Sequence, residues 1–447
     1  MAKKKACAAK ISVLPKEKQP FKIPNNWFWT DIASINGYSG TAVDPMKFPE
    51  TIYELYSVPS SANDFPEIIS GSEIGSSKQS VIKNDVLLCK INPRINRVWK
   101  VSQHTENELL ASSEWIVIRN QILNSDYMMF CFRTQFFREY MLSNVSGVGG
   151  SLMRAQPKFV KNYPIPIAPV AEQQRIVDRI ESIFAKLDEA KEKAQAVVDG
   201  FELRKSAILH KAFTGELTEK WREEHGVTLD SWEKETSTQL FSYVTSGSRG
   251  WAQYYSDSGS VFIRMGNLDH GTVELDMEDI QYVNLPSKAE GQRSKLQKND
   301  ILISITADIG MIGLVRNADQ DMYINQHIAL ARPTEENNSE FIAWYLVSDV
   351  GLKQMQSKQR GATKIGLGLD DIRNLKLLMP QVNEQAEIVR VLDSLLAKEN
   401  AAKEAAESVL DQIDTMKKAV LARAFRGELG TNDPTEESAV ELLKSML

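Results

Sequence analysis

Cysteine and histidine are scarce: 447 residues hold three cysteines (Cys7, Cys89, Cys131) and five histidines. An odd cysteine count without close spacing argues against a disulfide framework and suits a reducing, cytoplasmic setting. His104, His210, His225, His270 and His327 show no metal-ligand spacing, so no metal site is expected. Long apolar runs are missing as well. No stretch approaches the roughly 18 residues of a membrane span, and no membrane partner is expected. The basic start, Met1-Ala2-Lys3-Lys4-Lys5, meets Lys10 before an apolar signal core can form, so it reads as a solvated tail.

Catalytic motifs are absent too. There is no G-x-x-x-x-G-K-[ST] phosphate loop, and Gly71 to Lys78 has the wrong spacing for one. Adenine methyltransferases need an Asn/Asp-Pro-Pro-aromatic loop; the nearest stretch, Asn92-Pro93-Arg94, lacks it. The paired carboxylates Asp370-Asp371 read as a helix start. No catalytic residue is expected in this chain.

What is present is a globular composition, 42% hydrophobic and 25% charged, with length for two or three domains. The net charge of −6 is uneven. Residues 1–168 carry 20 Lys/Arg against 14 Asp/Glu, and residues 223–380 carry 15 against 22. A local basic face, not the total, decides whether phosphates are bound, and the acidic second half weakens the electrostatic case there.

The strongest signal is an internal duplication. Ala207-Ile208-Leu209-His210-Lys211-Ala212-Phe213-Thr214-Gly215-Glu216-Leu217 recurs as Ala419-Val420-Leu421-Ala422-Arg423-Ala424-Phe425-Arg426-Gly427-Glu428-Leu429, an offset of 425 − 213 = 212. The same offset pairs Glu172-Gln173 with Glu384-Gln385 and Ile176-Val177 with Ile388-Val389. Both copies are predicted to be long helices. Apolar positions run Ile176, Ile180, Ile183, Leu187, Ala190, Ala194, Val197, Phe201 and Ile208 in steps of four and three, broken at Arg204. The second copy runs Ile388, Leu392, Leu395, Ala402, Ala406, Val409, Ile413, Met416 and Val420, broken at Glu399. Such a sustained 3.5-residue period is a coiled-coil seam. Pro169 and Pro380 mark the starts, and Gly215 and Gly427 the stops. Setting Arg204 opposite Glu399 in an antiparallel pair places Leu187 against Met416 and Phe201 against Ala402. The two charges are therefore expected to pair and fix the register, with snorkelling at the seam's edge as the alternative.

Weaker echoes link the mixed stretches upstream of each helix. Lys83-Asn84-Asp85-Val86-Leu87-Leu88 resembles Lys298-Asn299-Asp300-Ile301-Leu302-Ile303, a turn entering a buried strand. Tyr127, Phe130 and Phe132 match Phe341, Trp344 and Leu346 on a short helix, and glycines precede both long helices. The layout is domain (1–168), helix (169–222), domain (223–380), helix (381–430) and an acidic tail (431–447). The expected fold is α+β, with two α/β domains and two long helices in an antiparallel coiled coil with pseudo-twofold symmetry.

With Glu172-Gln173 and Glu384-Gln385 opening the helices and Ala-Phe-x-Gly-Glu-Leu closing them, the chain resembles the specificity subunit of type I restriction-modification enzymes, over nearly its whole length. The family usually has two prolines before the Glu-Gln; here each copy has one. The resemblance implies two target-recognition domains, each reading one half of a bipartite, asymmetric site in double-stranded DNA. It implies helices that set the spacing and dock two modification subunits, which bring S-adenosylmethionine and methylate adenine at N6. Two restriction subunits would add ATP-driven translocation and cleavage, so this chain itself would carry no cofactor. A rigid helix of about 40 residues spans about 60 Å, enough to hold two domains on separate groove segments.

Direct readout needs Arg, Lys, Asn or Gln presented from loops and strand ends. In the first domain Lys90, Asn92, Arg94, Arg97 and Lys100 form a basic-amide run after a buried strand, and Arg154 and Lys158 follow a glycine-rich stretch. In the second, the candidates are Ser248, Arg249 and Tyr254, then Arg293 and Lys295, then Asn325, Gln326 and His327, and finally Arg360 and Lys364. Trp99 and Trp251 could stack on a distorted base, although core packing is the commoner fate of tryptophan. The rival reading is a coiled-coil scaffold with two protein-binding domains and no DNA specificity.

Overall fold

The structure, a computed structural model, describes residues 12–147, 153–286, 292–359 and 366–444. It divides into two compact units, Met1–Ala194 with Ser408–Leu447, and Gln195–Glu407. Each unit thus takes one mixed domain and parts of both helical segments.

In the first unit the central strand, Val86–Cys89, is buried along its whole length. Antiparallel partners Val98–Lys100 and Trp115–Ile118 flank it. Its entry is the Lys83-Asn84-Asp85 turn. Asn84 sits at φ 72°, a left-handed conformation that asparagine tolerates. The buried Asp85 carboxylate accepts from Ile82 N at 2.9 Å and from Arg119 Nε and Nη2 at 2.8 and 2.6 Å. Two short helices, Ser125–Phe132 and Gln135–Ser143, are capped by Asn124 and Thr134 and bury Tyr127, Phe130, Phe132 and Phe137. A five-stranded sheet holds Ile52–Tyr56 parallel to Glu108–Ala111.

The second unit repeats this plan with other residues. Ile301–Ser304 lies between Ile312–Leu314 and Ile328–Pro333. Asn299 takes φ 71°, and Asp300 accepts from Arg332 Nε and Nη2 at 2.7 and 2.8 Å. Asn338 and Ser348 cap the helices Ser339–Val347 and Asp349–Ser357. A strand before the first domain's core, Phe28–Asp31, pairs with Pro164–Ile167; Glu233–Thr236 pairs likewise with Lys376–Met379.

The duplicated Glu-Gln pairs anchor this plan. Gln173 Nε2 donates to Ala168 O at 2.8 Å while its Oε1 accepts from Asn124 N at 2.9 Å. Gln385 does the same with Pro380 O at 2.9 Å and Asn338 N at 2.9 Å. Each glutamine therefore ties a long helix's start to the cap of a short one. Glu172 accepts from Trp27 Nε1 at 2.7 Å and Asn432 Nδ2 at 2.9 Å. Glu384 accepts from Trp232 Nε1 at 2.9 Å and Thr218 Oγ1 at 2.7 Å, and is paired with buried Arg222 at 2.6 Å. The acidic tail is thus partly folded structure: Thr431 and Asn432 reach Glu172, and Glu436 pairs with Arg175.

The helical segments are α1 (Val170–Asp199), α2 (Phe201–Phe213) and α3 (Val382–Ala424). The first copy is interrupted at Gly200, where one continuous helix was expected. Glycine is a poor helix former, and here the Arg204 guanidinium folds back to donate to Val197 O at 2.8 Å. A Cβ on residue 200 would lie 2.5 Å from Arg204 Nη1. Arg204 Nε also donates to Glu399 Oε2 at 2.7 Å.

Alternate positions of the α3 seam depart from expectation, while Ala406 and Ile413 are buried as expected. Val409 and Met416, expected inside, are 42% and 45% exposed, and Ala402 is exposed. Lys403 and Lys417 lie inward instead, their ammonium groups 4.7 Å from the Phe201 ring and 5.1 Å from the Phe184 ring. Lys417 also meets Asp188 at 2.5 Å. Phe201 therefore faces Lys403 rather than Ala402. The inward row keeps its steps of four and three, through Leu396, Glu399, Lys403, Ala406, Leu410, Ile413 and Lys417, so alternate positions sit one residue later than expected. The Arg204 and Glu399 side chains are 37% and 24% exposed, so solvent screens the pair. A double-mutant cycle with Arg204→Ala and Glu399→Ala, read by urea unfolding, should give a coupling of about 0.2–1 kcal/mol; zero coupling removes the pair as a register device.

Candidate nucleic-acid interface

In the first unit the central strand exits through Lys90 into a turn with two left-handed asparagines, Asn92 (φ 47°) and Asn96 (φ 50°). Pro93–Ile95 forms one 3-10 turn between them. The strand Arg154–Ala155 lies alongside: Ile91 bridges Arg154, Asn92 N donates to Met153 O at 2.8 Å, and Ala155 N donates to Lys90 O at 2.8 Å. The structure thus joins the run after the buried strand to the segment after the glycines. Lys90, Asn92, Arg94 and Arg154 share one ridge. Asn92 Oδ1 is buried with no hydrogen-bond partner among the described residues, and an unpaired buried acceptor costs about 1–3 kcal/mol. That penalty, with the left-handed backbone, is the kind of strain found at binding sites.

Other first-domain candidates are placed differently. Lys100 is tied to Asp126 at 2.5 Å and Arg154 to Glu114 at 3.3 Å, so part of the cationic charge is already balanced. Arg97 is half-buried, with its carbonyl accepting from Cys89 N at 3.0 Å. Lys158 is exposed, its ammonium 4.8 Å from the Phe159 ring. Trp99 is core, packed 4.6 Å from Tyr56. Cys89 and Cys131 are buried free thiols, and burial raises both pKa values.

The second unit builds the equivalent ridge from different chemistry. Ser304 leads into Thr306 and Ala307, and Ala307 holds φ 61°, the position Asn92 occupies in the first unit. Thr306 bridges Gly366, as Ile91 bridges Arg154. His327 joins this turn. Its Nδ1 lies 2.6 Å from Thr306 Oγ1, and its Nε2 lies 2.8 Å from Gln326 Nε2. Asn325 Oδ1 accepts from His327 N at 3.0 Å, and Asn325 bridges Ser248. Ser248, Asn325, Gln326 and His327 are therefore one cluster, with exposed Arg249 beside Ser248.

Arg293 and Lys295 do not join it. They line a hollow with Tyr243 and Arg332, where Lys295 pairs with Asp321 at 2.6 Å. Tyr254 is half-buried against the Trp251, Phe262 and Tyr323 cluster, and Trp251 is core. Arg360 and Lys364 lie outside the described residues. The Thr306-Ala307-Asp308 turn was missed because a search for cations passes over it. Extending the Lys83–Leu88/Lys298–Ile303 echo by four positions (92 − 88 = 4) would have set Ala307 against Asn92.

Among the described residues no group of three His, Cys, Asp or Glu could hold a metal, and no helix is long and apolar enough to cross a membrane. A repeated frame carrying two dissimilar loop faces defines a recognition protein with two heads of one plan. The protein-family model "Type I restriction modification DNA specificity domain" matches residues 44–198 and 253–410. The chain is 24% identical over 343 residues to the Escherichia coli type I restriction enzyme EcoBI specificity subunit, covering 72% of this chain and 71% of that one. It is 27% identical over 319 residues to the EcoKI specificity subunit of Escherichia coli K12, covering 69% and 66%. The HsdS subunit from Thermoanaerobacter tengcongensis superposes with a TM-score of 0.69 at 20% identity, over 92% of this chain and 99% of that one. The chain belongs to this family, the DNA specificity subunits of type I restriction-modification systems, which recognise sequence and are not themselves catalytic.

Proposed function

We propose that each unit reads one half of a bipartite, asymmetric duplex site, with the Lys90–Arg94 turn and Arg154 in one half-site and the Ser248, Thr306 and Asn325–His327 cluster in the other. The long helices set the gap and dock two modification subunits. Those subunits bind S-adenosylmethionine and methylate adenine N6, two restriction subunits supply ATP-driven cleavage, and the assembly works in the cytoplasm. The observation that carries this is the contrast between equal frames and unequal reader turns. Asn92-Pro93-Arg94 stands where the second unit has Ala307-Asp308-Ile309. Asymmetric sites need unlike readers on like supports. Bidentate Arg or amide contacts to base edges each discriminate by about 1–3 kcal/mol. Replacing residues 1–168 by the corresponding domain of a relative should change one half of the methylated motif only, as mapped by adenine methylation across a genome. A change in both halves rules out independent reading.

A further inference from the structure

The two units differ where they would read DNA, yet at the opposite end of the same central strand they are alike. In the first unit a polar hollow of about 540 Å³ is lined by Lys83, Asn84, Arg119, Asn124, Ser125 and Asp126 among others. In the second a hollow of about 470 Å³ is lined by Lys298, Asn299, Arg316, Asn338, Ser339 and Glu340. Lysine, left-handed asparagine, capping asparagine, serine and carboxylate recur position for position. Even the ion pair recurs, Lys100 with Asp126 at 2.5 Å and Arg316 with Glu340 at 2.6 Å, although the cation moves two residues along the strand end.

Most of these residues have a folding role. Asn84 and Asn299 make the turn, Asp85 and Asp300 hold Arg119 and Arg332, and Asn124 and Asn338 cap helices. The lysines do not. Lys83 and Lys298 are exposed, and neither has an ion-pair or hydrogen-bond partner among the described residues. A turn needs no lysine before its asparagine, so folding does not account for the repeat. Base reading does not account for it either, because halves of an asymmetric site call for unlike residues; phosphate contact would allow like residues and is an outcome of the test. The hollow also lies at the entry of the strand Val86–Cys89, and the reader turn at its exit, roughly 17 Å away at about 3.3 Å per residue. It adjoins the long helix, since Asn124 N bonds Gln173 and Asn338 N bonds Gln385.

We infer that these hollows are two equivalent sockets, each taking a carboxylate-bearing segment of one modification subunit on Lys83-Asn84 or Lys298-Asn299. The uncommitted charge in each is a single ammonium, and the asparagine amide beside it can donate to the same carboxylate. Equivalent sockets suit two copies of one partner. This rests on the docking role proposed above.

The test counts modification subunits bound to the full-length chain by native mass spectrometry. Wild type should bind two. Lys83→Glu and Lys298→Glu should each bind one, the affected socket weakened roughly 100-fold by like-charge contact, and the double variant none. Lys83→Arg should restore the second copy. Thermal unfolding of the free chain should be unchanged, since both lysines are exposed. Two copies retained on every variant overturns the sockets and leaves the proposed function standing. Two copies retained with weaker binding to all DNA sequences overturns them too, and makes the lysines phosphate contacts. No copy on wild type overturns the docking role and the sockets together.

Discussion

Glu384→Ala should destabilise the protein by about 3–5 kcal/mol, the usual cost of leaving a buried charge without its partner. Glu384 is fully buried, and Arg222 opposite it has a side chain only 9% exposed. Arg222 Nη1 donates to Glu384 Oε1 at 2.6 Å, and its Nη2 donates to Gly215 O at 2.6 Å. Removing the carboxylate leaves that guanidinium without its counter-charge, and Trp232 Nε1–H and the Thr218 hydroxyl hydrogen without their acceptor. The site joins the start of α3 to the turn after α2 and to the strand at Glu233, so its failure loosens the frame rather than one loop. Glu172→Ala should cost less. Its donors, Trp27, Thr431 and Asn432, are neutral. Urea unfolding checks both, with midpoint and slope compared to wild type. A Glu384→Ala midpoint no lower than that of Glu172→Ala contradicts the buried-charge account.

The sequence made Glu172 and Glu384 visible as members of a repeat but not as anchors. Their partners are Trp27 and Asn432 in one case and Thr218, Arg222 and Trp232 in the other, and only folding brings those together. The helices were legible because apolar spacing reports burial directly. The inward turn of Lys403 and Lys417 was not, because a lysine's aliphatic stem can cover a ring while its charge stays wet, and a hydrophobic pattern counts it as outside. Gly200 was a legible weak point, since glycine is a poor helix former; the Arg204 contact to Val197 beside it was not. In the reading faces, cation-rich runs pointed to Lys90 and Arg94, whereas Thr306 and Ala307 carry no charge and are marked by backbone shape. Arg293 and Lys295 were grouped with the readers by residue type alone, and the sheet carries them to another hollow.

Gly247→Ala should remove discrimination at one half of the DNA site while sparing the other. An alanine Cβ at residue 247 would lie 2.0 Å from Ile324 O and 2.3 Å from Asn325 O. These are backbone atoms of a strand end and cannot rotate away, so the two segments must separate. The bridge between Ser248 and Asn325 then breaks. With it goes the placement of Asn325 Oδ1 under His327 N, and so the ring held between Thr306 and Gln326. If two base contacts from this cluster are lost, the preference for the correct second half-site should fall about 100-fold or more, since each good contact discriminates by about 1–3 kcal/mol. The first unit keeps its own turn at Asn92, so discrimination at that half should stay at the wild-type level. Gly75→Ala is the control: nothing lies within 4 Å of its added Cβ, and neither half should respond. The measurement is competition binding with duplexes altered in one half-site at a time, at fixed salt because phosphate contacts make every affinity salt-dependent. Equal losses at both halves would mean that the change unfolds more than one cluster. Wild-type discrimination at both would mean that Ser248 and Asn325–His327 do not touch the bases.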